Sequence, residues 1–176
     1  ESVFSVAHEA GLSTALFAAK TKFSLFQRSW PRDLDRVTIA EERDGRVVRA
    51  VRRDLVRRDR AVTFVHLGSA DKAGHAHGFL STPYLRAVRR LDALVGTILD
   101  DVDERRALAD LTIVLTSDHG GPRGSSSHSA AGDRANYTVP FLVWGPGTQA
   151  GDLYDLNPAY RDPQRRYHLS MREERM

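Results

Sequence analysis

The chain has 176 residues, 41% of them hydrophobic, which suits one globular domain or a part of a larger one. Because cysteine is absent, disulfides, thiolate metal sites and cysteine nucleophiles are excluded. The formal net charge is +3, and no run of about eighteen apolar residues is present, so the sequence predicts no membrane span.

The first third of the chain alternates helical and strand patterns. Residues 1–10 predict a helix, and Gly11 suits its C-terminal stop. The segment "STALFAA" predicts a short buried strand that ends at Lys20, and residues 21–36 predict loop and a short helix. Residues 46–61 have apolar residues at helical spacing and predict a second long helix.

That second helix carries seven arginines and two aspartates, a charge of +5. Such a stripe is compatible with nucleic-acid binding. No aromatic residues interleave with the arginines for base stacking, so we interpret the stripe as a solvated helix face and expect no nucleic-acid partner.

The rest of the chain contains three further strand patterns and one strong helix. The strands are "AVTFVHL", "LTIVLTSD" and "YTVPFLVWGPG", and a polar, glycine-containing loop joins the last two. The helix is "STPYLRAVRRLDALVGTILDDVDE", with Ser81 or Thr82 as its cap and Pro83 in its first turn. Strands separated by long helical stretches indicate an α/β fold with a parallel sheet.

Acidic and histidine residues follow two of the predicted strands. In an open α/β sheet, ligands bind beyond the carboxyl ends of the strands. Carboxylate oxygen and imidazole nitrogen form a suitable ligand set for zinc or a similar divalent ion. The sequence therefore predicts a metal site from residues at these strand ends and in the loop, namely Asp71, His75, Asp118, His119 and His128.

Other polar residues in the same segments have simpler interpretations. His77 competes with His75 as a ligand, whereas His66 lies within a strand and is interpreted as a core histidine. The serines at 125–127 are interpreted as flexible loop, because no strand-to-helix elbow holds them as nucleophiles.

Three segments together resemble a known family. "DKAGHAHG" resembles the D-x-x-G-H-x-x-G element of the alkaline phosphatase superfamily, in its type I phosphodiesterase/nucleotide pyrophosphatase branch. "TSDHGG" and "YTVPFLVWGPG" resemble two further elements of that branch, and the order and spacing match over residues 61–147. The resemblance implies an alkaline-phosphatase-like three-layer sandwich with a mostly parallel sheet.

The resemblance also implies two divalent metal ions, typically zinc, that clamp the oxygens of a phosphoryl group. By this resemblance Asp71 and His75 match ligands of one ion, His128 completes that site, and Asp118 and His119 match ligands of the other. The family spacing favours His75 over His77.

The family's N-terminal strand, with its aspartate ligand and its threonine or serine nucleophile, has no counterpart from Glu1 onward. We therefore expect residues 1–150 to form a partial catalytic domain that lacks the nucleophile, and residues 151–176 to form a polar C-terminal tail. The chain as given is expected to be inactive, and the complete protein to be a metal-dependent hydrolase of small phosphate esters.

Three alternatives to that function stay open. The superfamily also contains sulfatases and metal-dependent phosphomutases, whose metal elements are similar. The chain could equally be a non-catalytic remnant that binds a metal or a partner.

Overall fold

The computed structural model describes residues 1–58 and 60–157. Helices and strands alternate through most of this part of the chain, and three short 3₁₀ turns lie at Thr21–Phe23, Arg106–Leu108 and Arg134–Asn136. In chain order the elements are α1 (Val3–Glu9), β1 (Thr14–Ala18), α2 (Ser24–Ser29), β2 (Arg36–Ile39), α3 (Asp44–Arg57), β3 (Val62–His66), α4 (Ser69–His77), α5 (Thr82–Glu104), β4 (Ile113–Thr116), β5 (Phe141–Trp144) and α6 (Leu153–Leu156).

A three-stranded parallel sheet with strand order β2-β1-β3 forms the centre of the fold. Phe17 of β1 pairs with Thr38 on one side and with Val65 on the other. Every residue of β1 is buried, as a parallel strand with helices over both of its faces requires. The parallel α/β arrangement predicted from the sequence is confirmed.

Helices cover the two faces of this sheet in different ways. On one face Val47, Val51 and Leu55 of α3 pack against Phe17. On the other face Phe4 of α1 is 1% exposed and contacts aromatic rings of α2 and β3, at Phe26 and Phe64. The result is three layers, with the sheet in the middle.

Helix α3 shows why its arginines do not enter the core. Its buried side chains are mainly valine and leucine, while Arg49 and Arg53 are exposed. The prediction of a solvated basic face is therefore consistent with the structure. The helix begins at Asp44 and ends at Arg57, so it starts two residues earlier than predicted.

Strands β4 and β5 differ from the sequence-based expectation of one parallel sheet. They pair antiparallel, with Ile113 opposite Trp144 and Thr116 opposite Phe141, in a separate two-stranded sheet. A parallel connection needs a crossover of a dozen or more residues, usually a helix. Residues 117–140, between these strands, are long enough for such a crossover but contain no α-helix, only the 3₁₀ turn Arg134–Asn136, and the chain returns along the strand it has just formed.

Strand β2 was not predicted. It has only four residues, Arg36–Ile39, and none of them is fully buried, so its sequence pattern is weak. Helix α5 was predicted with the right bounds, and the Ser81 hydroxyl accepts a hydrogen bond from Tyr84 N as its cap.

The predicted division at residue 150 remains a prediction. Helix α6 (Leu153–Leu156) lies within the expected polar tail, and residues 158–176 lie outside the described residues. None of the helices in residues 1–58 and 60–157 combines the length and the apolar character that crossing a bilayer requires.

Candidate metal centre

Helix α4 follows β3 after two residues and carries Asp71 in its first turn and His75 one turn later. The N-cap residue, Gly68, has no side chain with which to cap the helix. The buried carboxylate of Asp44 supplies the acceptors instead, at 2.8 Å from Gly68 N and 3.1 Å from Ser69 N. This satisfies backbone donors that a helix start leaves unpaired and fixes the start of the helix that presents both side chains.

The loop after β4 is joined by its backbone to the end of α4. Phe79 N donates to the carbonyl of Ser125, and Gly124 N donates to the carbonyl of Phe79, both at 2.8 Å. This pair of hydrogen bonds brings the segment that contains His128 against the helix that contains His75.

Three imidazoles converge on one oxygen of Asp71. The distances from Asp71 Oδ1 are 3.2 Å to His75 Nε2, 3.6 Å to His119 Nε2 and 3.9 Å to His128 Nε2. Within the described residues, Asp71, His119 and His128 each offer one ligand atom within 4.8 Å of the others. The rings of His119 and His128 are stacked, with centroids 3.6 Å apart.

The two carboxylate oxygens of Asp71 have different surroundings. Oδ2 accepts a hydrogen bond of 2.6 Å from Lys20 Nζ, whereas Oδ1 is buried and has no hydrogen-bond partner in the part of the chain described. Burial acts to raise the pKa of Asp71, but the hydrogen bond and charge of Lys20, together with His75 and His119, outweigh it and lower the pKa. Asp71 is therefore ionised at neutral pH.

Two of the imidazoles are oriented by backbone carbonyls. His75 Nδ1 lies 2.7 Å from the carbonyl oxygen of Ser126, and His119 Nδ1 lies 2.8 Å from that of Gly120. A carbonyl oxygen only accepts hydrogen bonds, so Nδ1 carries the proton in both rings. The Nε2 atom of each ring faces Asp71 and is the atom that would ligate a metal.

These surroundings fit a divalent metal ion. A carboxylate oxygen without a hydrogen bond lies among imidazole nitrogens, and this donor set suits zinc. A buried polar atom without a partner is costly, and a bound cation would satisfy it.

Asp118 lies at the edge of this cluster. Its side chain is 61% exposed, and its Oδ1 is 3.8 Å from His119 Nε2. The structure thus places ligand atoms of Asp71, His119 and His128 mutually within 4.8 Å, whereas the resemblance divides His119 from the other two.

The other histidines named from the sequence lie elsewhere. His77 is exposed in the last turn of α4. His66 packs on Phe23, with ring centroids 4.4 Å apart. Burial, with a smaller effect of the Lys20 charge, lowers the pKa of His66. Its interpretation as a core histidine is consistent with this packing, although its buried Nδ1 has no partner among the described residues.

A pocket of about 560 Å³ opens beside the cluster. Asp71 and His75 form part of its wall, together with the charged side chains of Lys20, Lys72, Glu41 and Glu42 and with apolar surface that includes Ala19 and Ala76. The cluster is thus accessible to a small polar molecule.

Sequence reasoning did not assign three residues of this site, Lys20, Asp44 and Phe79. Lys20 had a detectable signal, because it follows the carboxyl end of β1 at the same sheet edge as Asp71. Asp44 and Phe79 contribute to the site through contacts with segments that are distant in sequence, and no local sequence pattern predicts such contacts.

Helices on both faces of a parallel sheet, with carboxylate and imidazole groups beyond the strand ends, define an alkaline-phosphatase-like α/β domain. A family model described as type I phosphodiesterase / nucleotide pyrophosphatase matches residues 1–162. The chain belongs to this family, which is part of the alkaline phosphatase superfamily.

Curated relatives show the same affiliation over part of their length. Human ectonucleotide pyrophosphatase/phosphodiesterase family member 1 is 30% identical over 90 residues, which are 48% of this chain and 9% of that protein. GPI ethanolamine phosphate transferase 1 of Aspergillus oryzae is 34% identical over 92 residues, 52% of this chain and 9% of that protein. The transferase of the same name from Chaetomium globosum is 29% identical over 125 residues, 71% of this chain and 13% of that protein. The chain thus spans about a tenth of the length of these relatives.

Proposed function

We propose that this chain carries the metal-binding part of the active site of a phosphate-ester hydrolase of the phosphodiesterase/nucleotide pyrophosphatase type. The observation that carries the proposal is the buried Oδ1 of Asp71, which lacks a hydrogen bond and has three imidazole nitrogens within 3.9 Å. Family membership supplies the reaction class, since phosphate esters are the substrates that fit this family.

The proposed ligands are Asp71, His75, Asp118, His119 and His128, and the proposed cofactors are two zinc-class ions. Bound divalent ions would polarise the phosphoryl oxygens and stabilise their developing charge. Bonds of about 2.0–2.1 Å place the donor atoms of one tetrahedral zinc ion roughly 3.3 Å apart, and His119 Nε2 lies 3.6 Å from Asp71 Oδ1. The cluster therefore supports one ion directly, and family membership, with Asp118 at the edge of the cluster, supports the second.

Residues around the ligands would prepare them for binding. The positive charge of Lys20 keeps Asp71 ionised and turns its Oδ1 toward the histidines. The carbonyls of Ser126 and Gly120 hold the imidazoles in the ligating tautomer. The pocket beside Asp71, which includes charged side chains in its wall, is where the small phosphate ester would enter.

The test is metal analysis of the complete protein, purified without chelators, together with turnover of bis(p-nitrophenyl) phosphate. Asp71→Ala should lose metal and activity together, by more than the roughly 10–100-fold that loss of an outer-shell partner costs. His77→Ala, in the same helix but exposed, is the matched control and should change both little. Wild-type protein without a divalent ion, or a larger effect at His77 than at His75, would contradict the proposal.

Transfer of a phosphate-ester group to an alcohol is the second candidate function. It is supported by the relatives named as ethanolamine phosphate transferases, one of them 34% identical over 92 residues. The same assay with glycerol as alcohol acceptor separates the two functions, because a transferase forms the glycerol phosphodiester in excess over the product of hydrolysis. Turnover of a chromogenic sulfate ester in preference to the phosphate would instead indicate a sulfatase.

A further inference from the structure

Phe79 is buried beneath the candidate metal centre, with an exposure of 3%. Its ring meets the imidazoles of His75, His119 and His128 edge-on, with centroid distances of 5.7, 6.3 and 5.9 Å and interplanar angles of 70°, 86° and 78°. One rigid ring therefore contacts all three histidines that surround Asp71.

Two glycines make room for this ring. A Cβ atom added to Gly74 would lie 2.4 Å from the Phe79 ring, and one added to Gly121 would lie 2.3 Å from it. Gly74 belongs to the helix that carries His75, and Gly121 follows His119 by two positions. The ring thus lies directly against the backbone of both ligand-bearing segments.

The backbone of Phe79 also holds the third segment. Its N–H and its carbonyl pair with Ser125 and Gly124 at 2.8 Å, close in sequence to His128. Gly78, which precedes it, has a φ of +86° that favours glycine and turns the chain toward this loop. Side chain and backbone of one residue therefore connect the three segments that supply the imidazoles.

We propose that Phe79 is the positioning residue of the metal centre. It fixes the spacing and the ring planes of His75, His119 and His128 around Asp71, and thereby sets the affinity for the metal and its coordination geometry. An aromatic ring suits this role because it is rigid, and ligand sites need support that holds them within about 0.5 Å. This inference rests on the proposed metal-binding function and adds a residue to it.

The experiment is a Co²⁺ titration of the complete protein, in which the visible absorption of the bound ion reports its coordination geometry. Phe79→Leu should weaken Co²⁺ binding by about 10–100-fold and change the shape of the absorption spectrum. Phe79→Tyr, which keeps the ring, should restore most of the affinity and the wild-type spectrum.

Phe4→Leu is the matched control. Phe4 is equally buried and has edge-on aromatic neighbours, at Phe26 and Phe64, but contacts no histidine in the structure described. It should lower thermal stability without altering the Co²⁺ spectrum. A Phe79→Leu spectrum and affinity equal to wild type, or a loss of affinity in Phe4→Leu as large as in Phe79→Leu, would overturn the inference.

A second measurement needs no substitution at Phe79 and covers the case in which Phe79→Leu does not fold. Nuclear Overhauser effects between the Phe79 ring and the three imidazoles should be present without metal and persist when Zn²⁺ is added. Their disappearance on Zn²⁺ binding would overturn the inference, because the histidines would then leave the ring in order to bind. If both wild type and Asp71→Ala fail to bind Co²⁺, the proposed function itself is wrong.

Discussion

Lys20 Nζ lies 2.6 Å from Oδ2 of Asp71, so the residue that follows the end of strand β1 forms an ion pair with the carboxylate of helix α4. Neither residue is fully exposed, since the side chains retain 31% and 18% of their accessible surface. This pair joins two segments of the chain that are 51 residues apart.

Lys20→Met should raise the pKa of Asp71. The substitution removes the hydrogen bond and the positive charge that lower this pKa, whereas burial, which raises it, remains. A carbon-detected NMR titration of the metal-free protein measures the change. Lys72→Met is the control, because Lys72 borders the same pocket but pairs with Glu42; an equal pKa change in both variants would contradict the prediction.

Gly74→Ala should destabilise the protein although alanine favours helices. The new Cβ would lie 2.4 Å from the buried ring of Phe79, and such overpacking costs about 1–3 kcal/mol, more than the roughly 1 kcal/mol gained in helix propensity. Gly96→Ala in α5, where a Cβ meets nothing within 4 Å, is the control and should raise the free energy of unfolding. Urea denaturation measures the free energy of unfolding of both variants, which should fall for Gly74→Ala and rise for Gly96→Ala.

Asp44→Ala should lower the free energy of unfolding by about 1–2 kcal/mol, the upper range for loss of a helix cap. Its carboxylate accepts hydrogen bonds from Gly68 N and Ser69 N, and both would lose their partner at the start of α4. Asp92→Ala, at an exposed position of α5, should change stability by less than about 0.5 kcal/mol. Equal effects at the two aspartates in urea denaturation would refute the capping role.

The ionisation of Asp101 should make the free energy of unfolding depend on pH in the acidic range. A hydrogen bond from Arg52 is the main cause of its lowered pKa, although burial acts in the opposite direction. Because the pKa of Asp101 is lower in the folded than in the unfolded protein, the ionised carboxylate stabilises the folded protein at pH values above its ordinary pKa of 3.8. This stabilisation is lost as the pH falls through the pKa of the folded protein.

Asp101→Asn should therefore be less stable than wild type near neutral pH, and the difference should shrink below about pH 4. Urea denaturation from pH 3 to pH 7 measures this difference at each pH. A constant difference across that range would show that the ionisation of Asp101 contributes nothing.

How far the sequence predicts this fold depends on the length of each pattern. The 23 residues of α5 and the wholly buried β1 give long or strongly apolar signals, and both were predicted. Strand β2 has four residues, none of them fully buried, and was missed. Apolar periodicity indicates a strand but not its partner, so the antiparallel pairing of β4 with β5 needed the structure.

The sequence predicts which residues belong to the candidate site but not how they are arranged in space. Asp71 and His119 follow strands, so a rule about strand ends finds them. Their approach to 3.6 Å depends on how two separate sheets pack, which no local pattern contains. From the sequence alone Phe79 is an ordinary apolar core residue, and only its contacts with three imidazoles in the structure distinguish it.

The hydrogen bond between His75 and the carbonyl of Ser126 spans 51 positions of sequence, with the whole of α5 in between. Closing so long a segment costs entropy that only the finished packing repays. We therefore expect the imidazoles from the β4 loop to reach Asp71 only after α5 has docked. In that order of events, metal affinity would appear late in folding, and a chain arrested before that step would have most of its helices but no metal-binding cluster.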